Sequence, residues 1–441
     1  MKHSRRQFLK SSAVIAAGAG LPVWFIQEDE ARAQSQTPRS ANDRPGIAWI
    51  GCGGRGSGII QEASRFGNVV AVCDVDSTHI AKAVGMFPKA QPYGDFRKIL
   101  ERKDVDVVVN ATPDHWHTLV NLQAMRTGRD IYSEKPLTMT IGEGKRLVQT
   151  AKETGRLLQT GSQQRSDPRF RLACELVRNQ AIGRLKEIQT ILPAGPHGGP
   201  FSSAPVPDGL NWDFWLGQTP KLDYVPQRCH GTFRYWYDYS GGTMTDWGAH
   251  HNDIAMWGNG SDGSGPITIE GSALVPEIPG GYTAASEYRV RYTYANGVVH
   301  DCFSIGWDGF DGSVTAPVPA GKTRNGVKFV GTDGWIFVNR SKIEASDPDI
   351  LKKPFGAGAI RLEASQNHMG NFFDCARSRH QPVCNVEIGH RSVSVCHLGV
   401  LSIRLGRKLR WNPEREDFVD DTEASSYVNR PMRAPWSLDA A

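Results

Sequence analysis

Between residues 45 and 165 the chain keeps two rhythms: short apolar runs at 47–50, 69–73, 105–109, 130–132 and 157–159, separated by stretches of helical period. Strand-length apolar runs interleaved with amphipathic helices predict a parallel sheet, since each parallel crossover needs a helix to cover the sheet face. Helices are expected at 95–101, 117–127 and 141–154, and Gly128 and Gly155 stand where the last two should stop. After residue 165 the rhythm changes. A helix at 169–179 leads to a strand at 187–192, and a segment rich in proline, glycine and aromatics then runs from 193 to 240. So long a loop is expected to shape a pocket. Alternating stretches at 267–275, 287–294, 298–304 and 327–338 predict a mostly antiparallel second sheet, flanked by helices at 243–257, 368–378 and 390–407.

With 441 residues, 39% of them apolar and 22% charged, the chain can bury two ordinary cores. The net charge of +5 is partly carried by the amino terminus, and no basic run occurs beyond residue 33, so no nucleic-acid partner is implied. No apolar stretch in that region approaches the roughly 20 residues of a membrane span. The eight cysteines form no C-x-x-C pair, which argues against a structural zinc site. Cys52 and Cys73 read as buried free thiols, and Cys375 with Cys384 is the one pair that suggests a disulfide.

The first 33 residues read as an address. Ser4-Arg5-Arg6-Gln7-Phe8-Leu9-Lys10 matches the twin-arginine pattern, an apolar stretch follows at 13–26, and Ala31-Arg32-Ala33 offers a small-residue cut before Gln34. The expected mature protein is periplasmic or extracellular, with no stable membrane anchor after processing. Twin-arginine export carries chains that have already folded, and loading a cofactor is a reason to fold first. The expected organisation is a signal at 1–33, a linker at 34–44, a first domain at 45–165 and a second at 166–436.

Candidate chemistry begins at the end of the first strand. Gly51-Cys52-Gly53-Gly54-Arg55-Gly56 opens a helix, so its backbone can turn sharply and approach a pyrophosphate at a positive helix end. Asp74, 23 residues after Gly51, ends the second strand, where a carboxylate accepts hydrogen bonds from ribose hydroxyls. It favours NAD over NADP, although Arg55 could in principle meet a 2′-phosphate. Glu134-Lys135-Pro136 ends a later strand on the edge where open α/β sheets bind ligands. Asp246 and His250, four apart on an expected helix, share a face, so a carboxylate and an imidazole can address one substrate. Trp212, Trp215, Tyr235, Trp236 and Trp247 suit either stacking on a sugar ring or packing.

Together these residues resemble one family, the glucose-fructose oxidoreductase, inositol dehydrogenase and MocA-like (Gfo/Idh/MocA) oxidoreductases. The glycine loop, Thr112-Pro113-Asp114-His115-Trp116-His117, Glu134-Lys135-Pro136 and Asp246-x-x-x-His250 carry the resemblance. The tail, with Asn367-His368, Arg410-Trp411-Asn412-Pro413 and Arg433-Ala434-Pro435-Trp436, resembles an exported bacterial branch. The resemblance implies an α/β fold, an N-terminal Rossmann parallel sheet plus a C-terminal α/β domain with a mostly antiparallel open sheet, and a homo-oligomer. It implies NAD bound by Gly51, Cys52, Gly53, Gly54, Arg55, Asp74, Thr112, His117, Glu134 and Lys135, with no metal. Lys135, Asp246 and His250 are the implied catalytic residues, and His117 is expected near the nicotinamide ribose. Either Lys135 or His250 is the base, and His251 doubles the usual histidine, leaving open which imidazole points inward. The expected reaction is hydride transfer to or from a secondary alcohol of a sugar, polyol or glycoside. One alternative is a redox-neutral enzyme that keeps its NAD, a glycosidase or a sugar-sugar oxidoreductase, although the chain lacks the His-Gly-Leu-Gly-Pro pattern associated with the glycosidase branch. The other is a metal hydrolase or binding protein with Asp246, His250, His251 and Asp253 as ligands.

Overall fold

The computed structural model describes residues 21–33, 44–273, 275–304 and 325–439. The twin-arginine pattern, the cut before Gln34 and nearly all of the expected 34–44 linker lie outside the described residues.

Six strands form the first sheet: β1 (Gly46–Ile50), β2 (Asn68–Cys73), β3 (Gln91–Tyr93), β4 (Val107–Asn110), β5 (Asp130–Ser133) and β6 (Leu158–Thr160). Their order is β3-β2-β1-β4-β5-β6, every pair is parallel, and β1 and β4 are buried along their whole length. The chain winds one way from β1 and returns to start β4 on its other side, which opens a crevice at the carboxyl ends of those two strands. β3 escapes sequence reading because it is a three-residue edge strand containing Pro92, with no apolar run. The strand expected at 105–109 starts two residues later.

The second sheet has the order β13-β12-β11-β7-β10-β9-β8-β14-β15. Its strands are β7 (Leu185–Leu192), β8 (Thr268–Ala273), β9 (Tyr288–Thr293), β10 (Val299–Ser304), β11 (Gly326–Gly331), β12 (Trp335–Val338), β13 (Ile343–Ala345), β14 (Leu409–Asn412) and β15 (Asp417–Phe418). Only β7 and β10 pair in parallel, so the sheet is mostly antiparallel as expected. The single strand expected at 327–338 is a hairpin, turned at Thr332-Asp333-Gly334. β9 shows the logic of the sheet: Tyr288, Val290 and Tyr292 face the helices and are buried, while Arg289 and Arg291 turn outward onto Asp301 of β10.

The 20-residue helix Val386–Leu405 joins the two halves, because it is buried nearly all round and packs on both helix Ile141–Thr154 and β8. The helix expected at 243–257 is recorded as Thr243–Asp246 and Gly248–Asn259, but Trp247 keeps helical angles (φ −78°, ψ −32°), so Asp246 and His250 still stand one turn apart. All eight cysteines, Cys375 and Cys384 included, are buried free thiols.

Candidate active site

At the β1 carboxyl end, Gly51 adopts φ +87°, and a Cβ there would lie 2.4 Å from the Ala111 carbonyl carbon. A Cβ on Gly56 would stand 2.1 Å from the Gly51 carbonyl oxygen. These two glycines let the loop press on the end of β4 and the following helix press on the loop. Gly53 and Gly54 face the other way: among the described residues a Cβ on Gly53 would touch only His79, at 3.7 Å, and one on Gly54 nothing. The helix Gly54–Ala63 has no side-chain cap, so its first-turn N–H groups are open to an anion. Cys52 turns inward. Its N–H donates to Asp74 Oδ2 at 2.7 Å, its thiol contacts the Cys73 carbonyl at 3.3 Å, and burial pushes the thiol pKa up.

Asp74 also accepts from the Asp76 N–H at 3.0 Å and faces His79 Nδ1 at 3.2 Å. That hydrogen bond is the main reason the His79 pKa is raised. The long loop of the second half is stitched onto this rim. Ser77 N–H donates to Gly209 O at 3.0 Å, and Asn211 N–H donates to Val75 O at 2.9 Å. From the same loop His230 reaches over, with Nε2 3.3 Å from Asp76 Oδ2 and its ring centre 4.8 Å from that of His79.

The other end of the cleft is assembled from both halves. Lys135, just past β5, forms a close salt bridge with the Asp246 carboxylate, and its Nζ also donates to the Asp246 carbonyl at 3.2 Å. Arg234 Nε stands 3.7 Å from the same carboxylate. Burial alone would raise the Asp246 pKa, but Lys135, Arg234 and Arg340 outweigh it and hold the carboxyl below its ordinary range. His250 lines the cleft beside them, and its buried Nδ1 has no hydrogen-bond partner among the described residues. Burial first, then Lys135, Arg340 and His251, push its pKa well below the usual histidine value, so the ring is neutral. His251 points the other way. Its Nε2 meets Asn325 Oδ1 at 2.5 Å, and burial lowers its pKa to about 4.

Glu134 Oε1 accepts from Arg55 Nε at 3.2 Å and Gln163 Nε2 at 3.1 Å. Arg55 is therefore engaged by Glu134. Thr112 and His117 line the cleft, and the His117 ring is braced between two carbonyls, Thr112 O at 2.9 Å and Pro136 O at 2.7 Å. Of the five aromatics, Trp215, Tyr235 and Trp247 border the cleft, while Trp212 and Trp236 are buried in the apolar cluster that the loop forms with its own residues. The four residues of the metal alternative do not converge: Asp253 is fully buried and paired with Arg165 at 2.8 Å, and His251 faces Asn325.

The glycine loop, Asp74, Lys135, Asp246 and His250 line one cleft of about 970 Å³ that runs from His79 and His230 to Arg340. Sequence reading missed Arg234, Arg340, His79 and His230. Arg340 sits in the turn between β12 and β13 with its guanidinium 4.8 Å from the Trp247 ring centre, and no local motif marks it. His79 could have been found, since it lies on the first turns of the helix that follows Asp74.

Residues 46–162 match the description "Oxidoreductase family, NAD-binding Rossmann fold", and residues 199–438 match "Oxidoreductase family, C-terminal alpha/beta domain". The chain belongs to the Gfo/Idh/MocA oxidoreductase family. Residues 2–22 match the twin-arginine translocation signal sequence, which directs export to the periplasm or outside the cell. Among curated proteins the chain is similar to glycosyl hydrolase family 109 protein 2 of Shewanella sp. (strain ANA-3), 36% identical over 174 residues. That match spans 34% of this chain and only 38% of the relative. Among solved structures it is similar in fold to the WlbA dehydrogenase from Bordetella pertussis in complex with NADH and UDP-GlcNAcA. The TM-score is 0.62 at 16% identity, covering 84% of this chain and 99% of that one. The aldose-aldose oxidoreductase from Caulobacter crescentus complexed with glycerol matches with a TM-score of 0.60 at 16% identity, covering 83% and 99%.

Proposed function

We propose that this chain oxidises or reduces a secondary alcohol of a sugar, polyol or glycoside, with NAD(H) as the carrier of the hydride. The observation that supports this best is the meeting of Lys135, Asp246 and His250 in the cleft that the glycine loop also lines.

The residues fit the cofactor. The uncapped first turn after Gly53 and the open space at Gly53 and Gly54 suit a pyrophosphate, and Asp74 suits the adenosine ribose hydroxyls. Asp74 would repel a 2′-phosphate, and Arg55 is engaged by Glu134, so the reading is NAD rather than NADP. When bound, the nicotinamide supplies the hydride acceptor or donor.

The protein's own groups then handle the proton. His250 lines the cleft and is neutral, so its imidazole can accept the proton of a substrate hydroxyl. Lys135, salt-bridged to Asp246, places positive charge where negative charge develops on that oxygen. Asp246 holds the Lys135 ammonium in place. A screen of sugars and polyols, read at the reduced-nicotinamide absorbance, tests the assignment. A protein that turns over none of them with NAD or NADH, in either direction, would sink it.

A second reading, a redox-neutral cycle in which the cofactor is never released, is favoured by the loop stitched over the Asp74 rim and by export away from the cytoplasmic nicotinamide pool. The names of the Shewanella and Caulobacter proteins point the same way. It predicts NAD(H) in substantial occupancy in protein purified without added nucleotide. Protein that emerges empty and works only with added NAD leaves the plain dehydrogenase.

A further inference from the structure

The helix Val23–Ala33 lies in the stretch that a cut before Gln34 would remove, yet it is built into the second half of the protein. Phe25 is only 1% exposed and shares an apolar cluster with Phe170, Leu172, Ile188 and Phe329. The Arg171 guanidinium lies 4.5 Å from the centre of the Phe25 ring and pairs with Asp29. Arg361 Nη2 donates to both Glu28 oxygens, at 2.6 and 2.7 Å, and Gln366 Nε2 donates to the Asp29 carbonyl at 3.2 Å. Trp24 packs edge-on against Phe355 at 5.2 Å. The stretch 355–366 is thus held between this helix and helix Pro168–Arg178 by apolar contact and ion pairs together. Cutting the helix away would expose the cluster and strip Asp29 from the buried Arg171.

Timing strengthens the point. The twin-arginine route moves chains that are already folded, so this helix is docked before any peptidase on the far side meets it. A peptidase reads an extended strand, whereas 31–33 form the last turn of the helix. The signal match ends at residue 22, one residue before the helix begins.

We propose that helix Val23–Ala33 is a lasting element of the exported fold, and that any processing falls upstream of Val23. The small residues Ala17-Gly18-Ala19 offer such a place. Mass spectrometry and N-terminal sequencing of the full-length gene product, recovered after export, give the direct test. An N-terminus at or before Val23, including an uncut one, supports the proposal, and an N-terminus at Gln34 overturns it. A second measurement compares thermal unfolding of chains begun at Leu21 and at Gln34. The shorter chain is expected to melt several degrees lower or to fail to fold, and equal melting temperatures would overturn the proposal.

Discussion

At the glycine-loop end of the cleft nearly every chemical group comes from residues 51 to 79, whereas the Lys135 end draws its groups from residues 135 to 340. The first end works through backbone: a positive-φ glycine, a helix that starts uncapped, and a carboxylate tied down by two backbone N–H groups. The second works through charge. One carboxylate, Asp246, gathers Lys135 and Arg234, while burial and then the charges of Lys135 and Arg340 keep His250 neutral. On the proposed reading, local chain geometry is enough to hold the nucleotide. Proton transfer needs charges whose positions only the packed fold can set, because each one is stabilised by the next.

That contrast can be tested by breaking each end in turn. The largest effect is expected at the charged end: Lys135→Met and His250→Ala should each lower turnover by roughly 100-fold or more while NAD stays bound. Tight NAD binding with turnover unchanged would remove those residues from the chemistry. His251→Ala should be milder, since its ring faces Asn325. If His251→Ala were dead and His250→Ala active, the inward assignment would fail.

The next effect belongs to the other end. Asp74→Ala should weaken NAD binding by about 10- to 150-fold, or about 1.5 to 3 kcal/mol, with much less effect on NADP, as measured by titration. Asp74→Asn keeps an oxygen that can accept from the Cys52 N–H, so it separates ribose contact from support of the glycine loop. Smaller again is the effect expected where His230 reaches over the Asp74 rim. His230→Ala should speed loss of bound NAD(H) by about 5-fold, the worth of one ordinary hydrogen bond, without changing the proton chemistry.

Acid should act on the stability of the fold through buried neutral histidines. His115 is lowered to about 3, while His251, His300, His368 and His397 are lowered to about 4, in each case mainly by burial. The unfolded chain then binds more protons than the folded one between the unfolded histidine value near 6.5 and these folded values. Stability is therefore complete above about pH 6.5 and is lost as the pH falls toward about 4, by up to ~1.4 kcal/mol per group per pH unit. Melting temperature against pH reads this directly. The His250 shift has its own signature, because the acid limb of kcat/KM should lie below the ordinary histidine range. Lys135→Met, which removes a nearby cation, should move the residual limb upward.

Much of the molecule was legible in the chain itself. The strands β1, β2, β5 and β6, the glycine loop, Asp74 and the helix over 368–378 follow from local pattern, because period, turn glycines and strand ends are properties of neighbouring residues. Lys135, Asp246 and His250 were legible as motifs. That Lys135 and Asp246 touch, that His250 rather than His251 faces the cleft, that Arg234 and Arg340 join them and that His230 reaches over the Asp74 rim depended on packing two sheets around the helix Val386–Leu405. The sequence alone also placed an address over residues 1–33, since its arginines, apolar run and small residues are read in order along the chain. Only the tertiary structure decided that Phe25 and Asp29 have buried partners, Arg171 among them, because burial is a relation between segments far apart in the chain and has no local signal.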